Sequence, residues 1–141
     1  MNLDRVDVHT HLIPPFWAEG LSSRGGDPSG WGAPHWSPEQ LIAFMDDEGI
    51  AVSVTSLTAP GIEGWRGSDR ADVAKRVNDY GADLVRRRPN RFGYLATLAL
   101  PDVDAGLAEI RRAHDELHVD GVCLHSNFDG MYLGDPALLP I

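Results

Sequence analysis

The chain has 141 residues, 43% of them hydrophobic and 23% charged, which supplies one packed domain and excludes a generally disordered chain. Its 21 acidic against 12 basic side chains give a formal charge of -9, so phosphate backbones and anionic lipid surfaces are repelled, and neither nucleic acid nor a membrane is an expected partner. One cysteine, Cys123, cannot form an intrachain disulfide, and with no leader-like start and no apolar run of ~20 residues the expectation is a cytoplasmic protein.

Arg5 to His11 reads as a strand in which Val6 and Val8 face a helical layer and Asp7, His9 and His11 share the opposite face. Residues 12–36 read as a long structureless connection carrying Trp17, Trp31 and Trp36 and punctuated by glycines 25, 26, 30 and 32. A helix starts at Ser37-Pro38-Glu39-Gln40, with Ser at the cap, Pro at the first turn and Gln three residues on. Leu41, Ile42, Phe44 and Met45 form its apolar face and Gly49 ends it. Ile50 to Leu57 is a β-branched strand. A second helix is expected from a cap at Asp69, with Ala74, Val77, Gly81 and Leu84 at helical spacing and Pro89 forbidding continuation. Phe92 to Leu98 is the third strand. Asp102 and Asp104 are both good caps for a helix bearing Leu107, Ile110 and Leu117, and Asp120-Gly121 turns into a fourth strand, Val122 to His125.

The order is β-α-β-α-β-α-β, with nothing that reads as a hairpin, and it implies right-handed crossovers and a parallel sheet. The fold class is α/β. Two sheets fit: a complete, open doubly wound sheet, or the first half of a (β/α)8 barrel, which typically needs ~250 residues. In both, chemistry sits at the C-terminal ends of the strands.

There, His9 and His11 form an H-x-H pair at the end of the first strand. Polar groups on a core strand are costly unless paired or metal-bound, and neutral imidazoles suit zinc, which takes at least one further protein ligand and a water. The three tryptophans of the long connection either close over a flat apolar substrate or pin that connection to the rim. Ser56, Thr58, His125 and Asn127 lie at or beyond strand ends, where a barrel presents substrate contacts, and His125 is also a candidate third ligand. His35, His114 and His118 read as surface or helix-end residues, Cys123 as core, and Arg86-Arg87-Arg88 as solvent-facing caps of helix carbonyls.

The D-V-H-T-H-L-I-P-P stretch at residues 7–15 resembles the first strand of the amidohydrolase superfamily, in the branch that includes aminocarboxymuconate-semialdehyde decarboxylase and 6-methylsalicylate decarboxylase. Further segments fit in order: S-G-W-G-A-P-H-W-S-P-E at 29–39, S-L-T-A-P-G at 56–61, V-N-D-Y at 77–80, R-F-G-Y-L-A-T-L-A-L-P-D-V-D at 91–104 and Y-L-G-D-P at 132–136. The resemblance implies that residues 1–141 are the first half of a metal-dependent (β/α)8 barrel, with His9 and His11 as ligands to a divalent metal, zinc or else manganese. It implies a decarboxylase of a small aromatic or unsaturated carboxylic acid. The family's remaining ligands and its acid-base come from later strands, so no catalytic residue is assigned here, and Trp17, Trp36, Thr58, His125 and Asn127 are the expected substrate contacts. A hydrolase acting on a lactone or amide is the alternative within the superfamily. A non-catalytic half-barrel fragment that self-associates is the alternative outside it, and a homo-oligomer is expected because a half barrel leaves two strand edges unpaired.

Overall fold

The computed structural model describes residues 5–141. In chain order the elements are β1 (Arg5–Leu12), α1 (Pro15–Ser22), α2 (Pro38–Glu48), β2 (Ile50–Leu57), α3 (Gly67–Arg87), β3 (Phe92–Ala96), α4 (Val103–Asp115), β4 (Gly121–Val122), and a hairpin of β5 (Asn127–Phe128) and β6 (Met131–Tyr132). Strands β1 to β4 form one parallel sheet in sequential order, the topology of the first four strands of a (β/α)8 barrel. No helix among the described residues is long and apolar enough to cross a membrane.

Local chemistry sets most boundaries. Ser37 Oγ accepts from the Gln40 N–H at 3.2 Å, Pro38 occupies the first turn, and Gly49 closes α2 in the left-handed region at φ 70°. Asp102 caps α4 through the Ala105 N–H at 3.0 Å. The expected cap at Asp69 is displaced: α3 starts at Gly67, and Asp69 sits in its first turn, where its charge still favours the positive end of the helix dipole. Leu117 and His118 fall beyond α4, with His118 at φ 54°.

Three further expectations are corrected. The long connection is not structureless, because α1 occupies its first third. Pro15 opens that helix, and Trp17 and Leu21, one helical turn apart, bury their side chains. The third strand stops at Ala96 because the Thr97 N–H turns to Asn78 Oδ1 at 2.9 Å instead of to a neighbouring strand. The fourth strand is two residues long, extended by one bond from the Cys123 N–H to the Ala96 carbonyl at 2.9 Å, and Cys123 is half-buried, not core. Beyond it lies the hairpin that the sequence order left out. Asp129 and Gly130 take φ 53° and 84° at its turn, the paired left-handed geometry that Asp-Gly favours.

The main core lies between the outer face of the sheet and the helices, where Leu12, Leu57, Val73, Val77, Tyr94 and Ala96 pack together. A second cluster joins Leu41 and Met45 of α2 to Ile50, Leu84 and Phe92. A buried polar network crosses this layer. Asn78 Nδ2 donates to the Thr97 carbonyl at 2.9 Å and to Glu109 Oε1 at 2.7 Å, while its Oδ1 accepts from Tyr94 OH at 2.8 Å. Arg112 forks onto Glu109 and reaches Asp79. The helices pack on β2 and β3, so Val6 and Val8 do not face a helical layer as expected. They are 61% and 69% exposed at the edge of the sheet.

Candidate metal centre

Strand β1 carries a bulge that shapes the site. Asp7 is in register with Ser53 and Thr10 with Thr55, so β1 spends one more residue than β2 between those pairs. Simple alternation from Asp7 to His11 is therefore broken. Asp7 does not sit as a third polar side chain beneath the histidines; its Oδ1 accepts from the His9 N–H at 2.9 Å and so stiffens the bulge.

With His9 inside the bulge and His11 just past it, the two imidazoles converge, with ring centroids 5.2 Å apart and planes at 74°. His11 pairs in register with Ser56, whose Oγ lies 3.3 Å from His11 Nδ1. With Nδ1–H donating to that hydroxyl, the Nε2 lone pair is free for a metal, the tautomer a ligand histidine needs. Partial burial lowers the His11 pKa first, and repulsion from His9 and more weakly from His125 lowers it further. The Ser56 backbone and Asp7 act the other way. The net effect keeps His11 neutral, and only the neutral ring can ligate.

The donor set thus fits a divalent metal: two adjacent imidazoles at the C-terminal end of a barrel strand, one held by a neighbouring hydroxyl. Among the described residues no third His, Cys, Asp or Glu joins them in a metal-binding group, and His125 is not gathered with them here.

The expected substrate contacts separate. Trp17 is fully buried and donates from Nε1 to the Gly61 carbonyl at 2.8 Å, which makes it an anchor for α1 and not a face for a ligand. Trp36 packs on Tyr80 of α3 with centroids 6.4 Å apart, in the helical layer. Of the three tryptophans only Trp31, 42% exposed, stays open to solvent. Asn127 Oδ1 accepts from the Gly130 N–H at 3.3 Å and so serves the hairpin turn. Thr58, 8% exposed, starts the turn in which the Gly61 N–H bonds its carbonyl at 2.9 Å. His125 lies just past β4, against Gly61.

Two positioning residues escaped sequence reasoning. Gly61 gave no signal beyond its place after a proline, and Arg70 none at all. Arg70, 6% exposed, donates to the carbonyls of Trp65 and Leu100 and to Asp129 Oδ2 at 2.8 Å, tying the hairpin to α3.

Comparison with known proteins adds an independent line. A family profile described as Amidohydrolase matches residues 6–141. Decarboxylase yanB of Aspergillus niger is 40% identical over 145 positions, covering 99% of this chain and 39% of that protein. The 6-methylsalicylic acid decarboxylase acuB of Aspergillus aculeatus is 36% identical, covering 97% of this chain and 43% of its own length. The structure of 5-carboxyvanillate decarboxylase from Novosphingobium aromaticivorans, solved with bound manganese, superposes with a TM-score of 0.85 at 26% identity over 96% of this chain and 46% of that one. The chain spans less than half the length of each.

Proposed function

The chain belongs to the amidohydrolase family, and from that premise we propose that it contributes the metal-binding strand of a metal-dependent decarboxylase, a carboxy-lyase acting on a small aromatic carboxylic acid of the salicylate type. The observation that carries the proposal is the convergence of His9 and His11 at the C-terminal end of β1, in a chain whose relatives are named decarboxylases. A divalent metal bound there would polarise the oxygen groups of the acid. Imidazole donors favour zinc, and the manganese in the 5-carboxyvanillate enzyme makes that ion the second choice.

The chain's own residues act in defined ways. Ser56 fixes the His11 ring, the bulge bond from the His9 N–H to Asp7 sets the backbone that carries the pair, and Thr58 begins the turn that follows β2 and ends at Gly61. None of them supplies a proton to the ring carbon that loses carbon dioxide, so that step belongs to groups outside these four strands. The lone, half-buried Cys123 suits a reducing, cytoplasmic setting.

The test is a zinc titration of the metal-stripped full chain by calorimetry, followed by salicylate-type acids and lactones with carbon dioxide release as readout. Stoichiometric zinc binding and release from the acids support the proposal. Turnover of lactones alone moves the assignment to a hydrolase. A folded chain that binds no metal leaves the second reading, a non-catalytic half barrel that self-associates, which the exposed Val6, Val8, Val122 and Leu124 at the two ends of the sheet favour.

A further inference from the structure

His125 is confined more tightly than a loop histidine at a strand end needs to be. A Cβ at Gly61 would lie 2.6 Å from His125 Cε1 and 3.0 Å from Nδ1, and Gly61 sits at φ 63°. Glycine is therefore demanded twice at this position, once by the backbone and once by the ring beside it. The Gly61 carbonyl is fixed in turn by Trp17 Nε1 at 2.8 Å. Alongside, Phe128 lies parallel to the imidazole, at 5° with centroids 6.3 Å apart. Phe128 is 7% exposed and rooted among Leu98, Leu100 and Leu138, and the turn after it is tied down by the bond between Asp129 and Arg70.

Among the described residues neither ring nitrogen of His125 makes a hydrogen bond, although the residue is only half-buried. Packing alone would be served as well by a phenyl ring, with no polar atom to satisfy. A rigid imidazole with an unused polar edge loses little conformational entropy when it takes a partner. Its location narrows what that partner is. His125 stands against Gly61, which closes the turn begun by Thr58 just two residues beyond Ser56, whose hydroxyl meets His11, yet the three histidines do not converge as a ligand set. A group beside the metal site but not on the metal meets what the metal holds.

We propose that His125 is a substrate-orienting residue whose ring N–H donates to a carboxylate oxygen of an aromatic acid bound at the His9–His11 mouth. The inference rests on the decarboxylase reading and deepens it. The test uses the full chain loaded with zinc and salicylate as the probe. Calorimetry measures binding, and NMR follows the His125 ring. His125→Phe, which keeps the packing on Phe128, is expected to weaken salicylate binding roughly tenfold with zinc stoichiometry unchanged. His125→Gln, which keeps an N–H donor, stays within about threefold of wild type, and the wild-type His125 ring resonances shift on adding salicylate. Salicyl alcohol, which lacks the carboxylate, binds wild type and His125→Phe alike. If His125→Phe binds zinc and salicylate as wild type does, the orienting role is overturned and the metal site stands. If zinc-loaded wild type binds no salicylate, the decarboxylase reading falls and takes this inference with it.

Discussion

Ser56 is the residue through which β2 acts on the strand that carries the histidine pair. Its hydroxyl, 6% exposed, meets His11 Nδ1 and so selects which ring nitrogen is left for a metal. Outer contacts of this kind typically change metal affinity by about 10- to 100-fold. Ser56→Ala is therefore expected to weaken zinc binding within that range, whereas His9→Ala and His11→Ala each abolish stoichiometric binding. Calorimetry on the stripped protein decides. Unchanged affinity in Ser56→Ala would remove the serine from the account, and retained binding in both histidine variants would refute the ligand assignment.

At the scale of elements, α3, β3 and α4 are joined by one buried amide. Asn78 serves the Tyr94 hydroxyl, the Thr97 N–H and carbonyl, and Glu109 at once. Burial, with the Glu109 carboxylate nearby, raises the Tyr94 pKa and keeps its phenol protonated as the donor in this network. Hydrogen bonds to Glu109 raise the Arg112 pKa and hold that guanidinium in place. Asn78→Ala leaves several of these groups unpaired in a dry layer, at a cost of about 3 kcal/mol, to be read from urea unfolding. A loss under about 1 kcal/mol would show that the groups find other partners. The individual elements were legible in the sequence because their signals are local: the Ser37 and Asp102 caps, the Gly49 stop and the β-branched run of β2 each depend on a few adjacent residues. The H-x-H pair was legible for the same reason. Asn78, Arg70 and Gly61 were not, because what they do depends on residues tens of positions away that only the fold brings near. Two misses had local signals. Pro15 with the Trp17–Leu21 spacing marks α1, and Asp129-Gly130 marks the hairpin. The bulge in β1 was hidden because an alternating pattern does not show where its register slips.

For the whole molecule the decisive fact is an open sheet. Its outer strands are β1, with Val6 and Val8 exposed, and β4, with Val122 exposed and Leu124 exposed just beyond it, and unpaired strand edges recruit other strands. Light scattering at micromolar concentration is expected to give a mass above that of the monomer, and Val8→Lys to lower it. A monomeric wild type would show that these edges are tolerated bare. The clasp between Arg70 and the hairpin bears on how such a molecule is made. Arg70 and Asp129 are 59 residues apart in sequence, and a ribosome delivers the arginine well before its counter-charge. Until the hairpin emerges, a guanidinium destined for a site 6% exposed has no carboxylate to meet, and desolvating it alone is expensive. The guanidinium thus completes its set of partners only when residue 129 is in place, so the short hairpin closes a link back to the start of α3 that the carbonyls of Trp65 and Leu100 leave without a counter-charge.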